Sequence, residues 1–172
     1  MKTISVCDLC DAHESEFAGT NSKQLRLLPD VYKSYGGLSS FYGQAHTLLC
    51  PEDNSVVREA VAQAGQLNGV GRVLIVDGGG MTRRALVGGN LAVMAAKNGW
   101  AGILVHGAVR DAAELRTASM GIKALSLCPL RTAKRGLGDA AVAVMISGYL
   151  VQPGDWVCAD VDGVLISAVA LH

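Results

Sequence analysis

The chain alternates between unbroken apolar runs and segments in which apolar residues recur every three or four positions. "RVLIVDGGG" (Arg72–Gly80), "GILVHGAVR" (Gly102–Arg110) and "IKALSLCPL" (Ile122–Leu130) are the runs. Continuous apolar stretches bounded by glycine, proline or charge predict strands covered on both faces. "SFYGQAHTLLC" (Ser40–Cys50) reads as a further strand. Between them lie helical patterns. "PEDNSVVREAVAQAG" (Pro51–Gly65) puts Val57, Ala60, Val61 and Ala64 on one face, with Asp53 or Asn54 as cap. "NLAVMAAKNGW" (Asn90–Trp100) turns Leu91, Met94 and Ala95 inward and closes at Asn98-Gly99. "DAAELRTASMG" (Asp111–Gly121) predicts a third helix, begun by Asp111 and ended by Gly121, and a first short helix is expected over Ser5–His13. Gly65–Gly71 reads as a loop.

After Pro129 the pattern changes. A basic, glycine-containing loop, "LRTAKRGLGDA" (Leu130–Ala140), is followed by short β-rich runs broken at Gly148, Gln152–Asp155 and Asp162-Gly163. The expectation is one α/β domain over residues 1–172, with a largely parallel central layer and an added antiparallel layer.

Composition narrows the function classes. Half of the 172 residues are apolar, and 15 Lys and Arg balance 15 Asp and Glu. That balance argues against a basic nucleic-acid binder and against an acidic disordered chain. With only two Phe and two Trp, the core must be built from Val, Leu, Ile and Ala. No run reaches the ~18 apolar residues of a membrane helix. "MKTISVCDLCDAHE" lacks the apolar stretch of a signal peptide, so a cytoplasmic protein with reduced thiols is expected from its five scattered cysteines. The pair Cys7 and Cys10 has no second pair with which to hold zinc and no strand before it, and reads as two ordinary thiols.

Candidate chemistry gathers where strands end. In open α/β sheets, ligands bind beyond the carboxyl ends of the strands. Three stretches stand there: "VDGGG" (Val76–Gly80), "VGGN" (Val87–Asn90) and "VRD" (Val109–Asp111). Gly88 and Gly89 at a helix start would expose backbone N–H groups that cradle a carboxylate or phosphate. Arg110 can grip a carboxylate or neutralise an oxyanion. Asp111 can hold a hard divalent cation, with waters in the remaining positions. The competing reading is a surface Arg–Asp pair in which Asp111 only starts a helix. A dinucleotide fingerprint fails because Arg83 stands where its third glycine would be, and the P-loop and serine-elbow patterns are absent. His106 reads as a hydrogen-bonded interior histidine. Lys134 brings positive charge either to a substrate mouth or to a solvated loop. Asp160 and Asp162 lack the rest of a calcium loop and read as a tight turn with Gly163. Asp77 either orients the glycine loop or serves a turn.

Taken in order, "FYGQAHTLLCPEDNSVVREAV", the block from Gly71 to Leu130, "KRGLGD" and "PGDWVCADVDGVLIS" resemble the RraA-like family. The family takes its name from the regulator of ribonuclease activity A and includes the 4-hydroxy-4-methyl-2-oxoglutarate aldolases. The resemblance implies an α/β/β fold of the swivelling-domain type, assembled as a ring-shaped trimer or a pair of trimers. For the aldolase branch it implies a class II mechanism with Mg²⁺ or Mn²⁺ and no Schiff base. Such an enzyme cleaves 4-hydroxy-4-methyl-2-oxoglutarate to pyruvate and decarboxylates oxaloacetate. Carried over position by position, substrate contacts fall on Gly88, Gly89, Asn90, Leu91 and Arg110, and the metal on Asp111. The aldolase branch carries an acid where this chain has Gly89. The regulator branch, which binds ribonuclease E and lowers its activity without chemistry, lacks the aspartate kept here as Asp111. A metal-dependent lyase and a ribonuclease regulator are therefore the two readings, neither involving direct nucleic-acid or membrane contact.

Overall fold

The computed structural model describes residues 5–18 and 25–171. Two short helices, α1 (Val6–Ala12) and α2 (Glu14–Ala18), are followed by β1 (Leu25–Leu27) and β2 (Lys33–Ser34). Then comes the expected alternation: β3 (Phe41–Leu49), α3 (Ser55–Val61), β4 (Gln66–Leu67), β5 (Val70–Asp77), β6 (Ala85–Val87), α4 (Gly89–Lys97), β7 (Gly102–Val109), α5 (Ala112–Thr117) and β8 (Gly121–Leu127). The last third is β-rich: β9 (Asp139–Ala140), β10 (Val144–Ile146), β11 (Tyr149–Val151), β12 (Trp156–Ala159) and β13 (Val164–Ser167).

Strands β3, β5, β7 and β8 lie side by side and parallel. The sheet continues antiparallel from β3 through β12 and β13 to β1, and β2 closes the opposite edge on β8. The central strands are apolar on both faces because both faces are covered. Leu74, Val76, Ile103 and Val105 pack against Val57, Ala92 and Leu115 of the helices. Val73, Ile75 and Leu104 face the other way, onto Val144, Ile146 and Val151 of the β10–β11 hairpin and Val157 and Ile166 of the antiparallel strands. Helices, central sheet and second β layer make the expected α/β/β arrangement.

Three expectations about element limits need correction. Helix α3 ends at Val61, and Ala64 is exposed rather than on the apolar face. The chain has to turn at Gly65, whose backbone lies so close to Trp100 that a Cβ there would stand 2.1 Å from the Trp100 nitrogen. Helix α5 ends at Thr117, after which Ala118 is already extended, so Gly121 opens β8 instead of closing the helix. The Gly65–Gly71 segment holds a small hairpin of β4 on β5, turned by Asn68-Gly69 with both φ values positive. That dipeptide is a strong hairpin signal and was present in the sequence.

The polar turn residues behave as expected. Asp160 accepts the N–H groups of Asp162 and Gly163 on one oxygen, and the N–H of Val6 on the other, which moors α1. His106 receives or donates a 2.8 Å hydrogen bond between Nδ1 and the Tyr32 hydroxyl, and all five cysteines are free thiols.

Gly102 and Gly121 pair across β7 and β8, and the Phe41 ring lies over both. A Cβ on either would come within 2.3 Å of a ring atom. Gly121→Ala should therefore cost about 1–3 kcal/mol from overpacking. In a Phe41→Ala background that penalty should vanish. Urea unfolding of the four proteins tests it, and additive losses would show that the ring is not what requires the glycine.

Candidate active site

The site follows from one pairing. β6 lies parallel to the end of β7, with Ala85 opposite Ala108 and Val87 opposite Val109. Both strands stop at the same level, and the Arg110 N–H donates to the Val87 carbonyl at 2.9 Å. Gly88, leaving β6, thus comes beside Arg110 and Asp111, leaving β7. Helices α4 and α5 start from these two points and pack together, so their first turns face each other.

Asp111 adopts a left-handed backbone, φ 61° and ψ 48°, uncommon outside glycine but more tolerable for aspartate. Its Oδ2 accepts the Gly89 N–H at 3.1 Å and lies 3.3 Å from Arg110 Nε. A Cβ on Gly88 would stand 2.6 Å from that oxygen. A Cβ on Gly89 would stand 1.8 Å from Glu114 Oε2 and 2.7 Å from Glu114 Cβ. Two carboxylates therefore overhang the diglycine. Glu114 fills the room that a side chain at Gly89 would need.

Glu114 is the residue that sequence reasoning missed. It lies three positions after Asp111, and such a spacing across a helix start places both on one face. The spacing was available in "RDAAE".

A cavity of about 210 Å³ opens at this point. Gly88, Asn90, Leu91, Arg110 and Asp111 line it together with Asn54, Arg58, Arg131 and Lys134. Gly89 is buried behind them. The Asn54 amide donates to the Leu86 carbonyl at 3.1 Å, and its buried Oδ1 has no partner among the described residues. Four cationic side chains against Asp111 make the cavity attractive to anions although the whole chain is neutral. Arg131 is shared with a neighbouring cavity of about 380 Å³ that Arg84 and Arg135 also line.

Two expectations change here. Of the three strand-end stretches, "VGGN" and "VRD" converge, whereas "VDGGG" does not line this cavity. Asp77 accepts the Gly79 N–H at 2.8 Å and the Met145 N–H at 3.2 Å, and the Gly78 and Gly80 amides bond to the His106 carbonyl. The glycine loop is thus folded against β7 and β10, and the segment after Leu130 takes its place, bringing Lys134 to the cavity while leaving it exposed. The cradle is also narrower than expected. The Gly89 N–H is committed to Asp111 and the Leu91 N–H to the Gly88 carbonyl. The Asn90 N–H, in the first helical turn, keeps no acceptor inside the helix.

Asp111 Oδ2, on the Gly89 N–H, and Glu114 Oε2, where a Gly89 Cβ would stand, offer hard oxygen donors around the diglycine. Among the described residues no group of three or more His, Cys, Asp or Glu could hold a metal. Two carboxylates with waters suit Mg²⁺ or Mn²⁺ and do not suit a structural zinc.

Comparison with known proteins gives the family. The RraA-like family model, described as Aldolase/RraA, matches residues 6–166. A protein of Burkholderia multivorans named "Putative 4-hydroxy-4-methyl-2-oxoglutarate aldolase" is 51% identical over 169 residues, covering 98% of this chain and 99% of its own. The structure of the RNA-processing inhibitor RraA from Thermus thermophilus superposes with a TM-score of 0.85 at 42% identity, covering 96% of this chain and 93% of that one. A Geobacillus kaustophilus protein described as an S-adenosylmethionine: 2-dimethylmenaquinone methyltransferase gives 0.86 at 36% identity, covering 98% and 97%. The chain belongs to the RraA-like family.

Proposed function

We propose that this protein is a divalent-metal-dependent lyase of 2-oxo acids, cleaving 4-hydroxy-4-methyl-2-oxoglutarate to pyruvate and decarboxylating oxaloacetate. The observation that carries the reading is the meeting of Arg110 with the Asp111 carboxylate over Gly88-Gly89, beside a cation-lined cavity, with the Glu114 carboxylate packed against Gly89. When bound there by Asp111 and Glu114, a Mg²⁺ or Mn²⁺ ion supplies Lewis-acid polarisation of the 2-oxo group. Arg110 adds a guanidinium where negative charge grows on that oxygen, an interaction stronger in the transition state than in the bound substrate. The Asn90 amide, at the start of α4, receives the adjacent carboxylate. Arg58, Arg131 and Lys134, which also line the cavity, draw in the remaining carboxylate. Glu114 stands in for the acid that the aldolase branch carries at the position of Gly89.

The Thermus structure described as an RNA-processing inhibitor supports a second reading, a regulator that binds ribonuclease E. A docking role has no need of two carboxylates and a guanidinium converging on a diglycine, so the lyase reading stands first. A cytoplasmic setting goes with either reading, and no helix among the described residues is long and apolar enough to cross a membrane.

The deciding assay is oxaloacetate decarboxylation by the purified protein with Mg²⁺ or Mn²⁺ and with a chelator. Turnover that disappears on chelation is expected, and Arg110→Ala should lower kcat by ~10²–10³ while weakening substrate binding less. No turnover with either ion would leave the regulator reading.

Glu114→Ala should cost at least the roughly tenfold to hundredfold in metal affinity or rate that loss of a group supporting a metal ligand costs. Gly89→Asp alone should also lose activity, because its Cβ would collide with Glu114. The double variant Gly89→Asp, Glu114→Ala should recover a large part of both losses. If the double variant is worse than either single one, Glu114 is not the substitute acid.

The family's ring-shaped trimer is the assembly we propose. Phe17, Leu27, Tyr149 and Leu150 are each more than a third exposed and border one hollow, an apolar patch of the kind that marks an association surface. Leu150→Glu should shift the mass seen in light scattering from trimer to monomer; a wild-type monomer at working concentration would overturn the assembly.

A further inference from the structure

The segment from Arg131 to Gly138 carries two of the cations that line the cavity, Arg131 and Lys134, and forms no strand or helix until β9. Arg131, Lys134 and Arg135 crowd three positive charges into five positions, which favours an open, solvated loop. Yet the segment is held close to the body. At its start, Arg131 bridges to Ala85, and the Ala85 N–H donates to the Leu130 carbonyl at 2.7 Å. At its end, Gly138 approaches Leu49 and Val56 so closely that a Cβ would stand 2.5 Å from the Leu49 oxygen.

Between these anchors the fastening is Asp53. Its side chain is wholly buried. Burial by itself would raise its pKa, but hydrogen bonds from Ser55, Arg135 and Leu137 outweigh it and hold the carboxyl below the usual range. The division of labour between its oxygens is informative. Oδ1 accepts the Ser55 N–H at 2.8 Å, at the start of α3. Oδ2 accepts the Arg135 N–H, on the cationic segment. The Arg135 side chain adds little, being 59% exposed with Nε 3.9 Å away. Asp53 also bridges to Ala133, and the Ser55 hydroxyl accepts the Gly136 N–H at 3.1 Å. A helix cap would need one oxygen. The second oxygen is spent on the segment alone, and burying a carboxylate for that purpose is costly unless its partners are fixed.

We infer that Asp53 is a positioning residue, which fastens the Arg131–Gly138 segment to α3 and so keeps Lys134 at the wall of the reaction cavity. It touches no substrate itself. Its kinetic consequence rests on the lyase reading, whereas its effect on the segment does not.

Asp53→Asn is the test, because asparagine keeps one acceptor oxygen and presents an amide donor in place of the other. Native-state trypsin digestion, followed by mass spectrometry, reads opening of the segment at Lys134 and Arg135. Loss of one charge-assisted bond should speed cleavage there by about tenfold to a hundredfold relative to sites elsewhere. Ser55→Ala, which leaves Asp53 in place, should speed the same cuts by a smaller factor and keeps the test open if the first variant does not fold. In steady-state decarboxylation, Asp53→Asn should raise KM several-fold with little change in kcat. In a Lys134→Met background it should add nothing further to KM. The inference is overturned if neither variant speeds cleavage at Lys134 and Arg135 above cleavage elsewhere, or if the KM effects of Asp53→Asn and Lys134→Met are independent. A wild type without turnover would sink the lyase reading and leave the digestion to decide this one.

Discussion

A single backbone hydrogen bond, from the Arg110 N–H to the Val87 carbonyl, sets the arrangement on which the site depends. It is the last rung of the β6–β7 ladder, and it brings two strand ends to one level. Because the strands are parallel, both chains leave in the same direction and both start helices there. Two helix starts side by side give a diglycine on one and an Arg-Asp pair on the other. An antiparallel neighbour would have sent one of the chains to the opposite edge of the sheet.

Close approach then decides which residues can occupy the site. Asp111 reaches back over Gly88 and Gly89 because its backbone is left-handed, a conformation that costs about 1–3 kcal/mol for a non-glycine residue and is held here by the Gly89 N–H and by β7 behind it. The glycines matter less as flexible joints than as vacant volume: Gly88 is in ordinary extended conformation, and a side chain there would displace the Asp111 carboxylate above it. Glu114 extends the same logic to Gly89. An acid on one helix start and a glycine on the other fill the same space, so a missing acid in a linear motif need not mean a missing acid in the site.

Much of this was legible in the chain. The runs "RVLIVDGGG" and "GILVHGAVR" announced strands buried on both faces, the end of the second announced Arg110 and Asp111, and the separate stretch "VGGN" announced Gly88 and Asn90. What escaped was whatever depends on contacts distant in sequence. Gly121 looked like a helix stop because a Phe41 ring eighty positions away cannot be seen from "ASMG". "VDGGG" looked like part of the site because glycines after a strand so often are; only the folded chain shows Asp77 turning that loop toward Met145. Arg131 and Lys134 line the cavity because the segment bearing them is fastened to Asp53, a long-range tie with no periodicity to betray it.

The place of β3 in the sheet also bears on how the protein is made. β3 lies between β5, which follows it closely in sequence, and β12, which does not appear until Trp156. While the ribosome is still adding the last third of the chain, the parallel strands can form, but the far edge of β3 from Phe41 to Gln44 has nothing to pair with. An apolar strand with an open edge is a template for pairing with other chains. The C-terminal β-rich third is thus the part whose late arrival closes the sheet, and truncated or stalled chains lacking it should be the ones that need chaperones or proteases.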